Sequence, residues 1–136
     1  MSASIVCLLG LIAWSVVLLF VLIGARTSRF LGGQFVFDQH GADIGGAGQR
    51  ITRAQGNSLE WLVIPAALII YGAATGQSAI TDGLAMVVLG ARVLQSLVHI
   101  MSISPPAVMI RATFFTVQAV IWVIWTYGFY SAAGAA

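Results

Sequence analysis

An all-α integral membrane protein, built as a bundle of four transmembrane helices, is the fold this sequence predicts. Two observations carry it. Of the 136 residues, 60% are hydrophobic and only 7% are charged, whereas roughly a quarter of the residues in soluble domains are charged. So few charged side chains cannot cover a water-facing surface. The apolar residues also fall into four runs of roughly 20 residues or more, each enough for a hydrocarbon core of about 30 Å. Strand-type alternation is absent, which argues against a barrel. One domain is expected at this length.

The first span covers about 4–25, and Arg26 and Arg29 follow it as a stop. No basic segment precedes it and it is too long for the apolar part of a signal peptide, so it reads as a retained anchor. The second covers about 51–74 and closes at Thr75-Gly76. Within it, Pro65 frees the Trp61 carbonyl and is expected to bend the helix. The third covers about 78–101, and the fourth about 107–130. Between these two, Ser102-Ile103-Ser104-Pro105-Pro106 makes a tight connection, because proline cannot continue a helix. Trp122, Trp125, Tyr127 and Tyr130 gather toward the end of the fourth span as an expected interfacial belt.

Four spans put both termini and the Gly76 turn on one side of the membrane. The loop at about 26–50 and the Pro105-Pro106 turn lie on the other. All six basic residues are arginines, and Arg26, Arg29, Arg50, Arg53 and Arg111 fall at or near that second side. The first side carries Asp82 and no Arg. The positive-inside rule therefore makes the Arg-bearing side cytoplasmic. A net charge of +2 is too small to suggest a nucleic-acid partner. The lone Cys7 permits no internal disulfide and reads as a small buried residue. The glycine-rich stretch 41–49 lacks a phosphate-loop pattern and reads as a flexible re-entry loop. Asp38, His40 and Asp43 in that loop have no second ligand cluster, so they read as solvated and no metal is expected.

Polar residues interrupt the greasy helices in a pattern. Arg50, Arg53, Asn57 and Glu60 are spaced 3, 4 and 3 residues apart, which places them on one face. On the third helix Arg92, Gln95, Ser96 and His99 form a similar edge. On the fourth, Arg111, Phe115, Gln118, Trp122 and Trp125 form a seam. Insertion of a central Arg or Asp costs about 2.5–3.5 kcal/mol. Glu60 and Arg92 lie at similar depth, so an ion pair between them is expected to offset that cost. Such a pair leaves Arg50, Arg53 and Arg111 gathered above it with few acids nearby. That excess of cations invites an anionic ligand in a membrane-embedded cleft. His99 reads equally as an interhelical hydrogen bonder or a ligand contact, and Gln118 reads as packing.

The stretch "RITRAQGNSLEW", 50–61, resembles the second-helix signature of the MAPEG family, membrane-associated proteins in eicosanoid and glutathione metabolism. The pattern is R-x-x-R-A-[QH]-x-N-x-x-E, and every position is met. "ARVLQSLVHI", 91–100, and "IRATFF", 110–115, resemble the corresponding parts of the third and fourth helices. The resemblance implies a homotrimer of four-helix protomers, with glutathione bound between subunits near the cytoplasmic face. Carried over by position, Arg53, Asn57 and Glu60 hold glutathione, with Glu60 on its ammonium and Arg50 and Gln55 close by. Arg111 lies next to the glutathione sulfur. Arg26 corresponds to an arginine at the end of the first helix, and the two arginines make up the catalytic pair. Gln95 and His99 fall where studied members often carry an aromatic or His followed by Tyr. Gly56 and Ala112 replace polar residues of the prostaglandin-synthesising members, which sets the chain apart from that substrate.

The activity implied is a membrane-bound glutathione transferase that conjugates the thiolate to lipophilic electrophiles arriving from the bilayer, with peroxidase chemistry beside it. Detoxification is the implied setting, membrane lipids are the surroundings, and glutathione is the only cofactor expected. The alternative is a non-catalytic lipid-binding or scaffold protein of the same fold. A small transporter is a third reading, but broken helices and internal repeats, its usual marks, are not evident in the sequence. The absence of Lys and the many Ala and Gly residues suit a bacterial source, in which case the membrane is the inner one.

Overall fold

The computed structural model describes residues 1–134. α1 (Ala3–Leu31) outlasts the apolar run that seeds it. Ser2 caps its start by accepting from the Ile5 N–H. Arg26 and Arg29 end the apolar stretch but not the helix, because arginine is a good helix former. α1 stops instead at Gly32-Gly33. Gly33 takes φ 94°, and the N–H groups of Gly33 and Gln34 return to the Phe30 and Arg29 carbonyls at 2.9 and 3.1 Å. This is a glycine-dependent helix end.

A single 3-10 turn (Ala42–Ile44) leads into α2 (Gly45–Glu60). α2 therefore begins earlier than the expected start near Ile51, and the glycine-rich stretch is largely helical rather than a flexible loop. Glycine is a weak helix former, but here its size is what packs. A Cβ on Gly48 would collide with the Ile44 side chain, and one on Gly41 with Thr52.

α3 (Val63–Ala74) continues the same span, and the two segments are interrupted at Trp61 and Leu62. The expected bent helix is thus a broken one. Pro65 has no N–H to give Trp61, and the Leu62 N–H turns to the Leu59 carbonyl at 3.3 Å instead. α3 ends where Gly76 adopts φ 71° and the Gln77 N–H reaches back to the Gly72 carbonyl at 2.7 Å. α4 (Ala79–Met101) and α5 (Pro105–Gly134) follow. Pro105 sits in the first turn of α5, where no N–H is needed.

Short connections make α3, α4 and α5 successively antiparallel. α4 packs against α1, α2 and α5, while α3 touches α1, α4 and α5. Four stretches, Ala3–Leu31, Ala42–Ala74, Ala79–Met101 and Pro105–Gly134, are long and apolar enough to cross a membrane. The chain is a multi-pass integral membrane protein. Cys7, Leu11, Ile69, Val88 and Trp125 form the centre of the core. Trp122 and Trp125 are only 5% and 0% exposed, so they are not part of an interfacial belt. They share a face with Phe129 that turns into the bundle, and only Tyr127 and Tyr130 point outward.

The two ends of the bundle differ in chemistry. At the end away from the Arg-rich loops, α1 and α4 are tied by Ser4. Its N–H and hydroxyl both donate to one Asp82 carboxylate oxygen, at 2.8 and 2.6 Å. The opposite end carries the arginines and the site.

Candidate functional site

At the Arg-bearing end a polar cleft of about 440 Å³ opens between α2, α4 and α5. α2 contributes Arg53 and Asn57, one helical turn apart, and the helix break adds Trp61 one turn further on. α4 contributes Gln95 and His99, also one turn apart. α5 contributes Val108, Arg111, Ala112 and Phe115. Five of the residues singled out from sequence are therefore brought together: Arg53, Asn57, Gln95, His99 and Arg111. Two of them are permanent cations, and no carboxylate lines the cleft.

The remaining residues singled out lie elsewhere in the protomer. Arg50 spends its Nε–H on the Ile100 carbonyl, 2.7 Å away, near the end of α4. There it satisfies a carbonyl that the helix leaves unpaired and meets the negative end of the helix dipole. Gln55 faces α1, in a small apolar recess with Ile12, Ser15 and Leu19. Arg26 donates to the Asp38 carbonyl at 3.2 Å and lies over the Phe37 ring, 5.6 Å from its centroid. Glu60 is exposed and lines no part of the cleft. Helix geometry explains the split between Glu60 and Trp61. Three residues advance about 300° and four about 400°. Relative to Asn57, Glu60 and Trp61 therefore fall on opposite edges of the face, and Trp61 takes the cleft edge.

The expected Glu60–Arg92 ion pair is not formed. Arg92 is 2% exposed. Its Nη1 donates to Asn57, at 3.1 Å to the side-chain Oδ1 and 3.5 Å to the main-chain oxygen. α2 presents Asn57, not Glu60, to Arg92 on α4. Gln95 Nε2 also donates to Asn57 Oδ1, at 3.4 Å, and Gln118 Nε2 donates to Gln95 Oε1 at 2.9 Å. Gln118 is thus more than packing, since it closes a polar chain running from α5 through α4 to α2.

Trp61 is a cleft residue that the spacing argument passed over, and Phe115, part of the expected fourth-helix seam, lies beside it. A second, larger groove of about 690 Å³ runs from them along α3 and α5, past Ile64, Ala119, Trp122 and Val123 to Tyr130. Its walls are apolar and aromatic. Trp61 and Phe115 belong to both cavities. Their rings meet edge to face, with centroids 5.0 Å apart, and Trp61 stacks on Trp122 at 6.4 Å. The polar cleft and the apolar groove therefore adjoin, divided only by this aromatic wall.

In the connecting loop, Asp38 organises the turn. Its carboxylate accepts from the His40 and Ala42 N–H groups at 2.7 and 3.3 Å. These backbone donors hold its carboxyl below the usual carboxylate range. Asp43 takes the Gln34 amide at 2.5 Å. No group of His, Cys, Asp and Glu among the described residues could hold a metal ion.

The sequence model of the MAPEG family matches residues 4–130. The chain belongs to the MAPEG family. Searches of curated proteins and of solved structures returned no match. The family match reaches into all four spans and includes the residues of the cleft and the aromatic groove of this MAPEG chain.

Proposed function

We propose that this MAPEG chain is a membrane-bound glutathione transferase that joins the glutathione thiolate to lipophilic electrophiles, with peroxidase activity at the same site. The observation that carries the reading is the shared wall of Trp61 and Phe115. It sets a cationic cleft suited to a charged thiol beside an apolar groove suited to a bilayer-borne partner.

Glutathione has two carboxylates, one ammonium and a thiol. Arg53 and the Asn57 amide suit its carboxylates, since guanidinium groups match carboxylates in a bidentate fork. His99 lines the same cleft and takes its amide groups, while Gln95 is bonded to Asn57 beside it. A free thiol with a pKa near 8.5 is only a few per cent ionised at neutral pH. Arg111 beside the sulfur, lowering that pKa by about two units, contributes roughly 2.7 kcal/mol of thiolate stabilisation. The thiol proton leaves to water. The sulfur lone pair then forms the new bond to carbon, while the leaving group departs with its bonding electrons. Only these side chains and the co-substrate are needed for that step.

Glu60 and Gln55 complete the site in this reading from a neighbouring protomer of a homotrimer, as does Arg26. All three lie outside the protomer's own cleft, and Glu60 supplies the carboxylate that the cleft lacks for the ammonium. Arg50 supports the site by joining α2 to the end of α4. The arginine distribution makes the cleft face the cytoplasm.

A second reading, a lipid-binding protein without catalysis, draws on the groove being larger than the cleft. Purified protein supplied with glutathione and chlorodinitrobenzene separates the two. Release of chloride with formation of the thioether, strongly reduced at neutral pH in Arg111→Ala, supports the transferase. Lipid binding without turnover supports the alternative.

A further inference from the structure

Arg92 lines neither cavity, yet it governs how the cleft is wired. A guanidinium can only donate hydrogen bonds. Arg92 therefore requires the oxygen of the Asn57 amide to face it, at 3.1 Å. Gln95 meets that same oxygen and must do so through its nitrogen, so its own oxygen points the other way. That oxygen accepts from Gln118 Nε2, which also donates to the Phe114 carbonyl, both at 2.9 Å. An amide side chain can in principle sit either way round. Here the orientation of all three amides follows from one buried cation.

We infer that Arg92, Gln95 and Gln118 are positioning residues that fix Asn57 as a hydrogen-bond donor to the ligand, so that the cleft selects an acceptor such as a carboxylate at that point. Both bonds to the Asn57 side chain arrive at Oδ1, which leaves its NH₂ group for the cleft that Asn57 lines. The rest of the chain is sealed from solvent: Arg92, Gln95 and Gln118 are 2%, 6% and 0% exposed.

A second observation separates this role from simple helix packing. Arg92 Nη2 is buried without a hydrogen-bond partner. Held only by a neutral amide, the guanidinium is under-compensated. An aspartate at position 57 would suit it better as a structural partner, but would turn an acceptor and a negative charge toward the ligand. Asparagine serves the ligand at some expense to Arg92.

The inference rests on the cleft being the glutathione site, and the test keeps the two apart. S-hexylglutathione, which has no titrating thiol, is titrated into the full chain in detergent, and melting temperatures are measured alongside. Asn57→Asp is expected to melt at or above the wild-type temperature while binding the probe about tenfold or more weakly, the loss of a hydrogen bond to a charged group. Gln118→Met is expected to weaken binding several-fold, and Gln118→Glu to restore it only at acid pH, where the protonated carboxyl can donate to Gln95. Wild-type affinity in Asn57→Asp, or no pH dependence in Gln118→Glu, overturns the proposal. If the wild type binds no probe, the glutathione reading falls, and melting decides the relay. A lower melting temperature in Asn57→Asp then rejects it. An equal or higher one, reversed by adding Arg92→Met, supports it.

Discussion

Trp61 and Phe115 meet edge to face at 5.0 Å and stand between the polar cleft and the apolar groove. Trp61 stands at the break between α2 and α3, and its ring packs against Phe115 of α5. A mutation on the groove side should therefore act on the lipophilic partner alone. Ile64→Ala, at a residue that lines the groove and not the cleft, is expected to raise the KM for chlorodinitrobenzene about fivefold, in line with the loss of an apolar contact, and to change glutathione affinity little. Steady-state kinetics with each substrate varied in turn checks this. Equal loss for both substrates would remove the division between cleft and groove.

Arg111→Ala carries a pH signature. With Arg111 present, the bound thiol ionises below its free pKa, so turnover is full at neutral pH and falls only in acid. Without it, the thiol returns to about 8.5, and turnover should drop about 25-fold at neutral pH but recover as pH rises through that value. A loss that stays constant across pH would mean that Arg111 acts on something other than the thiol.

Glu60 offers a test of assembly. It is exposed in the protomer and absent from its cleft. If a neighbouring protomer supplies it, Glu60→Gln should weaken glutathione binding about tenfold without lowering the melting temperature. Calorimetry showing wild-type affinity would place the ammonium elsewhere.

Ser4 is the control at the far end of the bundle. It is 1% exposed and donates twice to Asp82. Ser4→Ala removes the hydroxyl bond and should cost about 1–2 kcal/mol of stability, read by denaturation, with turnover per folded molecule unchanged.

Much of the architecture was legible in the residues. Four apolar runs specified four spans, and the 3–4 spacing of Arg53, Asn57, Gln95, His99 and Arg111 put them on faces that do converge. What spacing could not supply was rotation and partner choice. Counting along the helices pairs Arg92 with Glu60, yet Arg92 meets Asn57 because α2 turns that edge to α4. The extra turns of α1 and α2 were hidden for a related reason. Apolarity marks where a helix is buried in lipid, while Gly33 and the Ile44–Gly48 contact decide where it ends or starts. The aromatic wall escaped notice because a tryptophan after a polar motif looks like any other apolar residue.

The central claim is that the cationic cleft binds glutathione and ionises it. Titrating glutathione into the purified full-length protein at neutral pH, while recording the ultraviolet absorbance of the thiolate, tests both parts at once. The account predicts a saturable rise in the wild type that is lost in Arg111→Ala. Absence of any saturable thiolate signal in the wild type, or an undiminished signal in Arg111→Ala, would contradict it.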